Sequence, residues 1–145
     1  MSPAYLDNYN RWLASDKLTD EERSELLSIQ ENEDEIRQRF SCYLSFGTAG
    51  LRGTMKVGMN AMNTHTVAYA MQGLAELILK EGRADDGVAI AYDSRYHSDD
   101  FAKTAACVLA AAGIRAYLFD ALRPTPELSF ALRELSCVAG INITA

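Results

Sequence analysis

The chain has 145 residues and a formal net charge of −6, with 48% hydrophobic and 23% charged residues. This composition is typical of a folded domain and excludes disordered, collagen-like and membrane-embedded chains. The negative charge argues against nucleic-acid binding through a broad basic face, although it leaves room for a small anion site. No stretch approaches the ~20 apolar residues of a membrane span. We therefore expect a cytoplasmic protein with no nucleic-acid and no membrane partner.

The first 40 residues are predicted to be helical. Aromatic residues recur at helical spacing between Tyr5 and Trp12, and Thr19–Glu22 matches a capping box ahead of a second helix. The acidic run Glu31–Glu35 is interpreted as a solvated helix face or turn. We expect residues 1–40 to form an N-terminal helical extension.

Residues 45–63 contain four glycines and little periodicity, which predicts a loop with a short, irregular strand at about 51–57. Beyond them helices and strands alternate: a helix from a capping Thr64 to about Gly82, strand Val88–Tyr92, helix Ser98–Ala112, strand Ile114–Phe119, a helix from a capping Thr125 through Leu135 and strand Cys137–Thr144. Such alternation implies right-handed crossovers. The predicted fold class is α/β, a three-layer α/β/α domain over residues 41–145 with a mixed, mostly parallel sheet.

Polar residues follow each predicted strand. In open α/β sheets ligands bind outside the carboxyl ends of the strands. The residues expected at this rim are Asp93, Arg95, Arg123, Thr125 and Thr144, and the glycine-rich loop brings Gly47, Thr48, Gly50 and Arg52. Arginine presents a planar fork of donors matched to phosphate, and glycine-rich backbone can direct N–H groups at the same anion. The pattern favours a phosphorylated ligand.

Each element also has a plainer interpretation. The glycine loop is neither a Walker motif nor a dinucleotide fingerprint, so it fits a simple turn equally well. Asp93 could be the nucleophile of a haloacid-dehalogenase-like phosphatase, but Arg95 occupies the position of the second aspartate. Local hydrogen bonds from Asp93 and Arg95 that orient the loop are the favoured interpretation. His65 and His97 lack a partner at ligand spacing, so no metal site is predicted in this chain.

The three cysteines are Cys42, Cys107 and Cys137. Their number is odd, and they lack the spacing of a zinc or redox motif. Because free cysteine is among the most buried residue types, they are interpreted as reduced thiols of the core.

The loop Phe46–Gly53 reads Phe-Gly-Thr-Ala-Gly-Leu-Arg-Gly. Together with Gly58–Asn63, Ile90–Arg95, Leu122–Leu128 and Gly140–Ala145, in that order and spacing, it resembles the alpha-D-phosphohexomutase superfamily. The resemblance covers about residues 40–145. The long helical lead is more similar to the phosphoglucomutase and phosphopentomutase branch than to the shorter phosphomannomutases.

This resemblance implies domain I of a mutase that interconverts glucose 1-phosphate and glucose 6-phosphate through a phosphoserine and glucose 1,6-bisphosphate. Arg52 matches the family arginine beside that serine and is the expected catalytic residue. The residues implied to bind phosphate are Gly47, Thr48, Gly50, Arg52 and Thr144, supported from behind by Asp93, Arg95, Arg123 and Thr125. The serine loop and the Mg²⁺ ligands are implied to follow Ala145. The chain alone is therefore expected to be inactive, with a phosphorylated sugar and the remaining domains of the same polypeptide as its partners.

Two alternatives remain open at this stage. Within the family, the substrate could be that of a phosphomannomutase or a phosphopentomutase. In another class, the chain could be a non-catalytic sugar-phosphate-binding domain. The apolar residues Val138, Ile141 and Ile143 of the last strand also lead us to expect self-association of the isolated chain.

Overall fold

Three helices lie within residues 3–40 in the computed structural model, which describes residues 3–144. They are α1 (Ala4–Leu13), α2 (Asp20–Ser28) and α3 (Glu33–Phe40). The predicted capping box is present, because Glu22 N donates to Thr19 Oγ1 over 3.2 Å and Thr19 N donates to Glu22 Oε2 over 2.8 Å. Asn32 caps α3 by accepting from Glu35 N. The helical extension is confirmed.

Phe40 is the centre of the helical core. Its side chain is fully buried, and the rings of Tyr9 and Trp12 meet it edge to face at centroid distances of 5.5 and 5.7 Å. Burial of each such side chain stabilises the fold by about 1.5–3 kcal/mol. Tyr9 donates its hydroxyl to Leu26 O over 2.9 Å, which joins α1 to α2. The first three helices are therefore one packed element.

A short antiparallel hairpin follows the helices. It consists of β1 (Phe46–Gly47) and β2 (Gly50–Leu51), with Phe46 opposite Leu51 and Gly47 opposite Gly50. Gly50 has φ +120°, a conformation that side-chain-bearing residues rarely adopt. The predicted strand at 51–57 is wrong beyond Leu51, because the chain turns away and returns only for an isolated bridge between Met55 and Met62.

The rest of the described chain alternates helix and strand. The elements are α4 (Thr64–Lys80), a 3₁₀ turn (Ala84–Asp86), β3 (Val88–Tyr92), α5 (Ser98–Ala111), β4 (Ala116–Leu118), α6 (Thr125–Glu134) and β5 (Ala139–Ile143). The strand order is β4-β3-β5, and both neighbours run parallel to β3. The α/β prediction is confirmed. Antiparallel pairing occurs only in the β1–β2 hairpin, within the residues that the structure describes.

The sheet is covered on both faces. Ala89 and Ala91 pack against Leu128 of α6 on one face. Val88 and Ile90 alternate with them, are fully buried, and so point to the opposite face. The chain moves from β3 to one edge through α5 and to the other edge through α6, so right-handed crossovers place these helices on opposite faces. This is the expected three-layer arrangement.

Two predicted helix caps are wrong. At α4 the cap is Asn63 rather than Thr64, because Asn63 Oδ1 accepts from Thr66 N over 2.9 Å. At α6 Thr125 is the first helical residue, and its hydroxyl accepts from Asn142 Nδ2 instead of capping the helix. At α6 the bond from Asn142 competes for the Thr125 side chain.

The cysteine interpretation is partly wrong. All three thiols are free, but Cys42 and Cys107 are exposed and only Cys137 is half-buried. Cys107 lies on the solvent side of α5, between the buried Ala105 and Leu109. Burial raises the pKa of the Cys137 thiol, with a smaller contribution from Asp86.

By contacts the chain divides into two compact units, residues 1–66 and 67–145. The division falls after the start of α4, whereas the sequence placed a domain boundary at residue 40. That boundary stays a prediction about domain organisation. Among the residues described, no helix has both the length and the apolar character needed to cross a membrane.

Candidate functional site

The hairpin of the first unit carries the glycine-rich motif at its tip. Thr48 and Arg52 are exposed, and Phe46 keeps 70% of its surface accessible. The Arg52 guanidinium makes no hydrogen bond or ion pair with a described residue of its own unit. Its five donors are therefore open to a ligand.

Two glycines of this motif are required for different structural reasons. Gly50 turns the hairpin with its positive φ, and open space surrounds the place where a side chain would stand. Gly53 is packed closely, since a Cβ there would come within 3.0 Å of Leu44 Cδ1 and 3.3 Å of Met62 N. The result is an exposed glycine tip fixed at its base, with a guanidinium beside it. Such a loop can present backbone N–H groups and arginine donors to an anion.

In the second unit, Asp93 organises the carboxyl end of the sheet. Its Oδ1 accepts from Ser98 Oγ over 2.7 Å and from Arg95 N over 3.0 Å, and its Oδ2 accepts from Thr144 Oγ1 over 2.7 Å. Arg95 Nε lies 3.5 Å from Oδ2. Partial burial raises the pKa of Asp93, but the hydrogen bonds from Thr144, Ser98 and Arg95 outweigh it, so the net shift is downward. Asp93 is held as a carboxylate with both oxygens occupied.

Arg123 and Thr125 lie where β4 leads into α6. The Arg123 guanidinium contacts the carboxylates of Asp120 and Glu127 at 3.3 and 3.2 Å. Thr125 accepts a hydrogen bond of 2.9 Å from Asn142 of β5. These bonds brace the loop before α6 against the end of β5, so Arg123 already has two anionic partners.

The predicted site residues thus form two groups. The hairpin of the first unit holds Gly47, Thr48, Gly50 and Arg52, and the sheet end of the second unit holds Asp93, Arg95, Arg123, Thr125 and Thr144. In the second group Thr144 and Arg95 are bonded directly to Asp93, whereas Arg123 and Thr125 bond to neighbouring residues outside the predicted set. Their functional roles stay predictions.

Four residues that bond to the predicted site residues were not predicted from the sequence. Ser98 and Asn142 complete the bonds of Asp93 and Thr125, and Asp120 and Glu127 neutralise Arg123. The two acidic partners of Arg123 lie three and four residues from it, a spacing that the sequence could have revealed. Ser98 was assigned to opening α5, which it does, and nothing in its local sequence indicated the bond to Asp93.

Both histidines have carboxylate partners, contrary to the sequence expectation. His65 Nε2 lies 3.1 Å from Glu22 Oε1, and His97 Nδ1 lies 2.8 Å from Asp100 Oδ2. His97 precedes α5 with φ +62°, so its ring turns toward the first helical turn. These are single pairs. Among the described residues, no group of three or more His, Cys, Asp or Glu side chains could hold a metal ion.

The architecture and the hairpin define an α/β/α domain with an exposed, arginine-bearing glycine loop. Residues 43–145 match the family described as "Phosphoglucomutase/phosphomannomutase, alpha/beta/alpha domain I". The chain belongs to this family, which confirms the resemblance. The assignment also removes the haloacid-dehalogenase-like interpretation of Asp93.

Curated relatives extend the likeness over the whole chain. It is 39% identical over 145 residues to the phosphoglucomutase of Staphylococcus saprophyticus, which covers all of this chain and 24% of that protein. It is 36% identical to a probable phosphoribomutase of Schizosaccharomyces pombe, covering 100% and 25%, and 37% identical to the phosphopentomutase of Pongo abelii, covering 93% and 24%. The chain thus spans about a quarter of these relatives' length. No solved structure matches it.

Proposed function

We propose that the full-length protein containing this chain is a phosphosugar mutase that interconverts glucose 1-phosphate and glucose 6-phosphate, and that this chain is its domain I. The observation that carries the proposal is the complete Phe46–Gly53 motif on an exposed hairpin, with Arg52 uncommitted to the fold of its unit, in a chain that belongs to the phosphoglucomutase/phosphomannomutase family. The staphylococcal relative is named phosphoglucomutase, which supports this substrate class.

In the proposed reaction a phosphoserine gives its phosphoryl group to the sugar monophosphate. The resulting glucose 1,6-bisphosphate reorients, and its other phosphate returns to the serine. We assign the serine to the chain beyond Ala145, where the family resemblance implies it. The loose transition state of phosphoryl transfer leaves the protein mainly the work of positioning and charge stabilisation. Arg52 supplies that stabilisation through its planar fork.

The other proposed residues hold and support the phosphate. Gly47, Thr48 and Gly50 offer backbone N–H groups and a hydroxyl at the hairpin tip. Thr144, directly after β5, contributes through its backbone, because its hydroxyl donates to Asp93. Asp93, Arg95, Arg123 and Thr125 act through the bonds they make to these elements rather than by touching the sugar. Each of these roles depends on the full active site.

The resemblance implies Mg²⁺ as a cofactor of the full-length protein. Because the described residues offer no group of side chains that could hold a metal ion, this ion does not fit the residues of this chain. We assign it no ligand and no step here.

A pentose phosphate is the second candidate substrate. Two relatives that cover 100% and 93% of the chain are named phosphoribomutase and phosphopentomutase. The family resemblance implies that the loop that recognises the sugar follows Ala145, so we propose no residue of this chain as the one that selects the sugar. The choice between hexose and pentose rests on the assay.

The test is turnover by the purified full-length protein in Mg²⁺ and glucose 1,6-bisphosphate. Conversion of glucose 1-phosphate is followed beside conversion of ribose 1-phosphate and mannose 1-phosphate at equal concentrations. Fastest conversion of glucose 1-phosphate supports the proposal, and a preference for ribose 1-phosphate supports the pentose alternative. Binding of these sugars by calorimetry without any turnover would instead support a non-catalytic sugar-phosphate-binding domain.

A cytoplasmic location and self-association of the 145-residue chain stay predictions. Sedimentation across a wide concentration range tests the second, and a clean monomer throughout would contradict it.

A further inference from the structure

The last residue of β5 and the residue after it are both held by Asp93, which directly follows the neighbouring strand β3. Asp93 N donates to Ile143 O over 3.1 Å and so continues the parallel ladder by one bond beyond β3. The Asp93 side chain then accepts from Thr144 Oγ1 over 2.7 Å. Main chain and side chain of one residue therefore hold two successive residues of the departing chain.

Asp93 is itself held from the opposite side. Ser98 of α5 and the backbone of Arg95 occupy its Oδ1, and Arg95 Nε lies near its Oδ2. Charge-assisted bonds of this kind are roughly twice as strong as neutral ones. Three donors fix the orientation of the Asp93 carboxylate. The fixed carboxylate in turn restrains the position of its fourth donor, the Thr144 hydroxyl.

A second bond restrains the same strand. Asn142 Nδ2 donates to Thr125 Oγ1 over 2.9 Å at the start of α6. Asn142 and Thr144 lie on the same side of β5, two residues apart, and each is tied to a different neighbouring element. The chain leaving β5 thus starts from a braced position although Thr144 is exposed.

We infer that Asp93 is a positioning residue for the reaction, which acts through its hydrogen bond to Thr144 by fixing the direction in which the chain leaves β5. This inference rests on the proposed function, in which the phosphorylated serine follows Ala145. A nucleophile must stand in line with the phosphorus it attacks, and a displacement of about 1 Å can cost on the order of 100-fold in rate. The Asp93–Thr144 bond supplies that alignment and does not touch the sugar.

The test is a double-mutant cycle in the full-length protein. Thr144→Val removes the hydroxyl while keeping the branched shape. Asp93→Asn keeps the size but places an amide nitrogen where Oδ2 accepts from Thr144. Thr104→Val is the matched control, since it removes a hydroxyl that bonds only to Asp100 O within α5, over 2.8 Å. Melting temperature is recorded for every variant.

We expect Thr144→Val to lower kcat by about 10- to 100-fold with KM changed less than about threefold. Asp93→Asn should lower kcat by about three- to tenfold, because neutral bonds replace charge-assisted ones. The double variant should be no slower than Thr144→Val, since both changes remove one connection. Thr144→Ser, which restores the hydroxyl, should recover at least tenfold over Thr144→Val, and the control should keep wild-type kcat.

Three results would overturn the inference while leaving the proposed function intact: an active wild type whose Asp93→Asn variant has normal kcat, single effects that multiply in the double variant, or a rise in KM alone. Multiplying effects would mean that Thr144 contacts phosphate independently of Asp93. A wild type that converts no phosphosugar would defeat the proposed function, and this inference with it.

Discussion

Two arginines of the first unit occupy opposite environments. Arg39 in α3 is 7% exposed, and its guanidinium reaches Glu35 at 2.8 Å, Val57 O at 3.2 Å and the carboxylate of Glu25. Arg52 on the hairpin is exposed and bonds to no described residue of its unit. All three guanidinium nitrogens of Arg39 have partners in the fold, whereas Arg52 has none among the described residues of its unit.

The surroundings of Arg39 explain this difference. Glu25 also accepts from Val57 N over 3.0 Å, and Glu35 also accepts from Lys56 Nζ over 2.6 Å. The cluster therefore joins α2 and α3 to the segment that leads into α4. An arginine with all partners supplied by the fold serves stability, whereas one held ready without partners is available to a ligand.

The largest effect that this comparison predicts is on catalysis. Arg52→Ala in the full-length protein should lower turnover of glucose 1-phosphate by about 100- to 1000-fold, the range for removal of one preorganised stabilising donor. The melting temperature should change little, because Arg52 has no partner to lose in its unit. Steady-state kinetics and thermal unfolding of the same preparation measure both.

Arg52→Lys is the companion variant. It should recover only part of the lost turnover, since lysine keeps the charge without the planar fork. Near-normal turnover of Arg52→Ala would contradict the proposed role. A large fall in melting temperature with equal loss of activity in both variants would point to a structural arginine.

The reverse pattern is expected at Arg39. Arg39→Met should lower the free energy of unfolding by about 2–3 kcal/mol, somewhat below the cost of breaking a fully buried pair because Glu25 and Glu35 still reach water. Urea unfolding measures this change. Arg37→Met is the matched control on the same helix and should change stability much less, because its pair with Glu33 is exposed to solvent. Equal effects of the two variants would break the comparison.

Two glycines extend the comparison to the backbone. A Cβ at Gly58, with φ +147°, would lie 2.8 Å from Arg39 Cβ and 3.2 Å from Arg39 O, while Gly50 has open space. Gly58→Ala should therefore cost about 2–3 kcal/mol from overpacking and strain, and Gly50→Ala about 1 kcal/mol from its positive φ alone. Unfolding midpoints rank the two. A Gly50→Ala variant less stable than Gly58→Ala would show that the hairpin is the more constrained region.

The smallest expected effect is a pH dependence of the Arg39 cluster. Hydrogen bonds from Lys56 and then Arg39 lower the pKa of Glu35 from its usual value of 4.5. The folded chain therefore binds this proton less readily than the unfolded chain, so the stabilisation is complete above pH 4.5 and is lost as the pH falls through the folded pKa. The stability difference between wild type and Glu35→Gln should be present at pH 7 and vanish in strong acid.

Glu31→Gln, an exposed position of the same acidic run, is the control for this titration and should alter the unfolding midpoint little at any pH. Urea midpoints between pH 3 and pH 7 supply the measurement. A Glu35→Gln difference that stays constant across that range would contradict the assigned coupling.

The helices and strands whose positions depend on local sequence were predicted correctly in type. Helical spacing and the capping box predicted α1 and α2, and Ser98 was predicted as the start of α5. The run Val88–Tyr92 was predicted as a strand with the bounds that β3 has. Strands β4 and β5 are shorter than predicted, because only the residues that face β3 form ladder bonds. The hairpin motif was found by its glycines and its resemblance to a family, not by periodicity.

Hydrogen bonds and ion pairs between residues far apart in the chain could not be predicted from the sequence. The run Glu31–Glu35 looks like a solvated face, yet Glu35 lies beneath Arg39 and Lys56 because Lys56 returns to it from 21 residues away. Thr144 and Asp93 are separated by 51 residues, and no local pattern connects them. Capping by Asn63 instead of Thr64 depended on which side chain the packed loop turned inward.

Asn63 ties a loop to a helix in a way that sets how this part of the chain opens. Its Nδ2 donates to Lys56 O and Gly58 O, both at 2.9 Å, and its Oδ1 caps α4 at Thr66 N. The loop cannot detach without uncapping the helix, and the helix cannot fray at this end without releasing the loop. Backbone amides of both segments should therefore exchange with solvent deuterium in one cooperative opening, at a common rate slower than that of the Thr48–Ala49 tip.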